Sequence, residues 1–92
     1  MKKKIILTRE LVAVQFYGVY DFKHEVENML GCKIEIKAWN IREGMEEYQV
    51  LIYSREGKTI YIKPGSWLAY DEDTKEIVVI DTFTFAKSCE IV

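Results

Sequence analysis

The chain has 92 residues, of which 49% are hydrophobic and 13% aromatic, enough apolar side chain for one folded domain over residues 1–92 and no room for a second core. Fifteen acidic against thirteen basic residues give a net charge of −2, with the only basic cluster at Lys2-Lys3-Lys4; nucleic acid is therefore not the expected partner, since such proteins gather a basic excess on one face. No apolar run exceeds four residues, so neither a secretory h-region of about 7–15 residues nor a membrane span is expected, and the cytoplasm is the expected location.

Residues 11–17 (LVAVQFY) predict a strand: β-branched and aromatic residues are enriched, and Val12, Val14 and Phe16 fall on one side by period two. Residues 2–8 form a second strand candidate adjoining it. A helix is predicted over 22–30, with Asp21 as N-cap and Gly31 as left-handed C-cap. Its apolar stripe is Phe22, Val26, Met29 and Leu30. His24 reads as a solvent-facing helix residue, with no nucleophile at motif spacing.

Residues 32–39 alternate cleanly. Cys32, Ile34, Ile36 and Ala38 form one side, while Lys33, Glu35, Lys37 and Trp39 form the other, as in a half-buried strand with Trp39 as the odd member of its wet side. Residues 40–47 (NIREGMEE) show little periodicity and read as a loop with room for one helical turn. YQVLIYS (48–54) and TIYIK (59–63) predict a hairpin around Arg55-Glu56-Gly57-Lys58, with the first arm central because it is apolar on both sides. Pro64 lacks a backbone donor and should stand at a strand end. SWLAY (66–70) and KEIVVID (75–81) predict a second hairpin around Asp71-Glu72-Asp73-Thr74, whose acids suit turn formation and lack calcium-loop spacing. The tail fits a helical turn over 82–87 and a short strand over 88–91.

The order β-α-β-β-β-β-β plus tail predicts an α+β fold: one twisted antiparallel sheet of five to six strands with one helix, about 22–30, packed on one face. Cys32 and Cys89 each lie in apolar context and are expected as reduced, packed thiols, with a mutual disulfide as the alternative.

No chemistry-bearing constellation emerges. One histidine and two distant cysteines do not suggest a metal site, no phosphate-cradling glycine loop is present, and Glu43, Glu46 and Glu47 read as a solvated loop face rather than an acid/base pair. The expectation is a protein without catalytic residues, metal or cofactor. The aromatics carry more information. Phe16, Phe22 and one of the tail phenylalanines belong in the core, whereas Tyr53, Tyr61 and Tyr70 could share a sheet face with Trp39. Such a cluster is a small second core, a protein interface or a ligand platform. The candidate binding set is Trp39, Glu43, Glu46, Glu47, Tyr53 and Tyr70.

Two stretches carry a family resemblance. VAVQFYG resembles the EAIQWTG opening of a family of small phage and prophage proteins of Gram-positive bacteria. IYIKPGSWLAYDEDTKEIVVIDTFTFAKSCEIV resembles the C-terminal half of that family, built around a PGDWI-like motif, through Pro64, Gly65, Trp67, Leu68, the 76–80 strand and Phe85. Together they cover a little over half the chain; Ser66 stands where the family carries Asp. The resemblance implies no activity. It implies a structural corner at Pro64, Gly65 and Trp67 with Trp67 buried, and a mobile-element setting inside a host cell. In that setting, small size, mild acidity and surplus aromatics suit an interaction protein acting on a host or defence protein; the alternative expectation is a small-ligand, nucleotide-like binding domain with a pocket at a homodimer seam.

Overall fold

The computed structural model describes residues 2–6, 9–42 and 44–91; Leu7, Thr8 and Glu43 of the segments discussed above lie outside the described residues. The order is β1 (Lys2–Ile6), β2 (Glu10–Gln15), α1 (Val19–Leu30), β3 (Ile34–Arg42), β4 (Met45–Ile52), β5 (Lys58–Ile62), β6 (Trp67–Tyr70), β7 (Ile77–Ile80), α2 (Thr82–Ser88) and β8 (Glu90–Ile91). The class is α+β, as expected. The single sheet is corrected to two antiparallel ones. The larger runs β7-β6-β2-β1, extended at its edge by the two-residue β8, and the smaller is β3-β4-β5.

The corner after β5 makes this division. Pro64 cannot donate to a ladder, and Gly65 takes φ +90, so the chain leaves the small sheet there. The Gly65 amide then donates to the Phe16 carbonyl at 2.7 Å, and the Phe16 amide to the Ser66 carbonyl at 2.8 Å. Gln15 Nε2 and Thr82 Oγ1 both donate to the Gly65 carbonyl. Pinned in this way, β6 pairs with β2, setting Trp67 opposite Gln15 and Leu68 opposite Val14. The corner expected at Pro64, Gly65 and Trp67 is therefore present, with Trp67 buried.

The helix begins three residues before the predicted start. Gly18, in extended conformation, is the N-cap without a side-chain bond, and Asp21 lies inside the first turn, where its carboxylate faces the positive end of the helix dipole. Gly31 closes the helix at φ 71, as expected. A second helix replaces the single predicted turn in the tail. Asp81 caps it, accepting from the Thr84 amide at 2.8 Å and from the Thr84 hydroxyl at 2.9 Å.

Two apolar clusters form. The first fills the space between the sheets, with Val14, Phe16 and Leu68 from the larger side, Ile34, Val50, Ile52, Ile60 and Ile62 from the smaller, and Phe22 and Val26 from α1. Phe16 is its hinge, tilted against Phe22 at 4.8 Å and edge-on to Tyr48 at 5.1 Å. The second cluster lies on the opposite face of the larger sheet. There Ile5, Leu11, Ala13, Trp67, Ala69 and Ile80 are covered by Phe85 of α2, whose ring stacks on Trp67 at 3.9 Å and 4°. The core places Phe16, Phe22 and Phe85 inside and leaves Phe83 exposed. Cys32 packs on the first cluster and Cys89 on the second, so the two thiols stand on opposite faces of one sheet and are free. Burial raises the Cys89 thiol above its ordinary range. Among the described residues no helix is long and apolar enough to cross a membrane.

Candidate functional site

The smaller sheet presents one face to the core and the other to water. β4 is its middle strand, as expected for YQVLIY. Ile34, Ile36, Val50, Ile52, Ile60 and Ile62 point inward, so strand alternation sends Glu35, Lys37, Gln49, Leu51, Thr59 and Tyr61 outward. Residues 40–47 are not a loop. They are the end of β3 and the start of β4, joined around Gly44 (φ 76), with Arg42 opposite Met45. Both sides of this projecting hairpin are wet, so nothing selects an apolar alternation, and the sequence there lacks a strand's signature.

Within β3 the register shifts between Ala38 and Asn40, a bulge that leaves Trp39 outside the regular ladder. Its indole is 56% exposed and lies 5.2 Å from the Tyr61 ring on the outer face. Tyr53, at the far end of that face, is equally open, and its hydroxyl donates to Glu35 Oε2 at 2.7 Å. Lys37 Nζ approaches Glu35 Oε1 at 3.4 Å. The Tyr53 bond holds the Glu35 carboxyl below its ordinary range; it outweighs the opposing effect of desolvation, and the charge of Lys37 adds a smaller lowering. The same bond, with the nearby carboxylate, raises the Tyr53 phenol.

The structure thus places Trp39, Tyr53 and Tyr61 on one face, with Trp39 and Tyr61 in contact and Tyr53 apart at its far end, and separates other members of the expected set. Tyr70 is corrected outright. It belongs to β6 of the larger sheet, opposite Val12 and Ile77, and is 8% exposed. Both faces of that strand are covered, which removes Tyr70 from any solvent-facing site. Glu47 lies beside Trp39 on the outer side, opposite Asn40, whereas Glu46 projects from the other side of β4, opposite Ile41. Glu43 lies outside the described residues. Exposed Ile41 and Met45 near the hairpin tip were missed in sequence reasoning, because only a strand assignment for 40–47 would have placed them there.

Elsewhere the acids are structural. Asp71 is buried at the β6–β7 turn, where its Oδ1 accepts from the Asp73 and Thr74 amides while Arg9 pairs with its Oδ2 at 3.1 Å and with Glu76 at 3.0 Å. The Thr74 amide first, and then the Asp73 amide and Arg9, hold the Asp71 carboxyl below its ordinary range despite some desolvation. His24 is exposed beside Tyr20, Asp21 and Glu25 in an open depression. Among the described residues no group of three or more histidine, cysteine, aspartate or glutamate side chains is placed to hold a metal. The three lysines of β1 border a shallow depression of about 400 Å³ with Val12, Asn28, Met29 and Glu72. They do not converge: Lys2 and Lys4 lie opposite Val14 and Val12, whereas Lys3 lies opposite Ala13 on the other face, 6.0 Å from the Trp67 ring.

Comparison with family models, with curated proteins and with solved structures finds no match for this chain. The fold and site define a small α+β domain with one sheet covered on both faces and a second sheet open on one.

Proposed function

We propose that this chain is a non-enzymatic interaction protein that meets another protein with the outer face of its smaller sheet. The observation that carries the proposal is the Trp39–Tyr61 pair, two large aromatics held in contact yet open to solvent, on a face whose rim is made of Glu35, Lys37, Gln49 and Glu47. An apolar centre with a polar rim is the anatomy of a protein interface, and Trp and Tyr are the residues most enriched at its energetic centre. The bulge that frees Trp39 from the ladder supports the same reading, since bulges re-aim side chains at functional edges. The mobile-element resemblance supplies the rest of the proposal: the partner is a host or defence protein in the cytoplasm of the host cell.

The test is capture from a lysate of the native cell on the immobilised chain. A partner retained by the wild type is expected to be lost with Trp39→Ala plus Tyr61→Ala and weakened by charge reversal at Glu47. It should be retained with Tyr20→Ala, which removes a still more exposed ring from a different surface. A captured set identical across all variants would overturn the proposal.

A further inference from the structure

The described residues leave several strand edges open, and β3 is the longest, running from Ile34 to Arg42 and paired only with β4. Its backbone directions are fixed by two bonds. The Lys33 carbonyl accepts from the Tyr53 amide at 2.9 Å, so the odd-numbered residues ahead of the bulge turn their polar groups toward β4. The Ile34 amide instead donates to Glu27 Oε2 at 2.9 Å, on the other side. Ile34, Ile36 and Ala38 therefore aim their amides and carbonyls away from the sheet. Glu27 serves the Ile34 amide and the bulge ends the regular stretch after Ala38, so the template is bracketed at both ends. An unpaired row of this kind is a site for another strand.

We propose that two copies of this chain pair through β3, antiparallel about a two-fold axis at Ile36, and merge their smaller sheets into one. Three features select this occupant and this register. A centre at Ile36 puts outward-aimed residues against each other: Ile36 exchanges both its bonds with Ile36 of the second copy, and the Ala38 amide meets the Ile34 carbonyl of the second copy. It places Glu35 opposite Lys37 of the second copy and Lys37 opposite Glu35, in the closely spaced non-hydrogen-bonded positions where opposite charges stabilise and like charges oppose pairing. It also brings Lys33 of one copy beside Trp39 of the other, a cation next to an open indole.

Neighbouring registers fail on the same criteria. Centres at Glu35 or Lys37 present backbone groups already committed to β4, and each sets a charge against itself. A centre at Ile34 puts the amide that Glu27 holds on the axis itself, so that both central bonds are lost, whereas the Ile36 register meets that amide only at the outer pair, where it faces the Ala38 carbonyl of the second copy; a centre at Ala38 runs through the bulge. The pairing does not depend on the proposed partner interface, although it would carry both Trp39–Tyr61 pairs on one continuous surface.

The experiment is solution mass by light scattering on the full chain across a concentration series, without any partner. The wild type is expected at twice its 10.8 kDa chain mass. Lys37→Glu sets Glu against Glu on both sides of the axis and is expected to weaken the dimer by about tenfold or more. The double variant Glu35→Lys/Lys37→Glu restores opposite charges across the axis and is expected to recover the dimer, with far-UV circular dichroism showing both variants folded. A wild type that remains monomeric at about 100 μM would overturn the proposal, as would a dimer indifferent to Lys37→Glu. A folded double variant that stays monomeric would overturn this register.

Discussion

The two sheets of this molecule differ in how many of their faces are covered, and their strands differ accordingly. In the larger sheet, Leu11, Val12, Ala13 and Val14 of β2 are all buried, as are all four residues of β6, because the smaller sheet and α1 cover one face and α2 the other. In the smaller sheet, β5 alternates between exposed and buried, and its outer face carries Tyr61. In β2 and β6 a continuous apolar run thus accompanies two covers, and in β5 alternation accompanies one. The two tryptophans repeat the contrast. Trp67 stacks on Phe85 at 4% exposure, whereas Trp39 is more than half open.

The largest expected effect tests that contrast directly. Trp67→Ala should remove about 3–5 kcal/mol of stability, the usual result of truncating a buried large aromatic. Trp39→Ala should change stability by no more than about 0.5 kcal/mol, as surface substitutions do. Urea unfolding of the two variants measures both. Comparable losses would mean that the outer face of the smaller sheet is a covered core, and the contrast between the sheets would collapse.

The corner joining the two sheets should come next. Gly65→Ala is expected to cost about 2–3 kcal/mol, since φ +90 is a conformation L-residues resist and the added methyl would meet Thr82 Oγ1 at 3.0 Å. Gly31→Ala, also left-handed but in open space, should cost only about 1–2 kcal/mol. Equal costs in the same unfolding assay would show that the approach of α2 to the corner adds nothing to the division between sheets.

Local signals carried much of this fold. The stripe of Phe22 and Val26, the C-cap at Gly31, the turn at Gly57 (φ 69), the β6–β7 hairpin and the helical segment of the tail are set by neighbours in sequence, and all are present, the last as a full short helix; the tail strand is present as two residues held by β1 from the other end of the chain. The division into two sheets was not legible, because it depends on β6 choosing β2, about fifty residues earlier, instead of β5 beside it. Tyr70 was misplaced for the same reason. Period two assigns a face only within one sheet, and a single sheet was assumed. The site was half legible: Trp39 stood out as an aromatic on a polar face and Tyr53 and Tyr61 share that face, but the separation of Glu46 from Glu47 required knowing that 45–47 is strand.

Acid should distinguish the covered unit from the open one. Asp71 and Asp81 both have folded-state carboxyls below their ordinary range, through backbone amides and, for Asp71, Arg9. Groups of this kind contribute stability above the ordinary carboxylate range and lose it as pH falls through the folded value. A profile of Tm against pH should therefore decline on the acid side, and Asp71→Asn and Asp81→Asn should each lower Tm at neutral pH and flatten that decline. A decline of unchanged steepness in both variants would move the acid sensitivity away from the larger sheet's turns.

The smallest effect belongs to the Glu35–Tyr53 bond on the open face. Glu35 is lowered and Tyr53 raised by the same contact, so its contribution exists only in a window. It is lost in acid as Glu35 takes a proton and lost in base as Tyr53 gives one up, each shift having the sign of a bond between carboxylate and neutral phenol. Both groups face water, so Glu35→Gln should leave Tm nearly unchanged while lowering the ionisation of Tyr53 toward that of a free tyrosine, followed by phenolate absorbance with Tyr53→Phe identifying the transition. The ring is an open interface contact rather than part of a covered cluster if its ionisation moves without a matching loss of stability. A large fall in Tm in Glu35→Gln would instead place this corner of the outer face among the groups that hold the fold together.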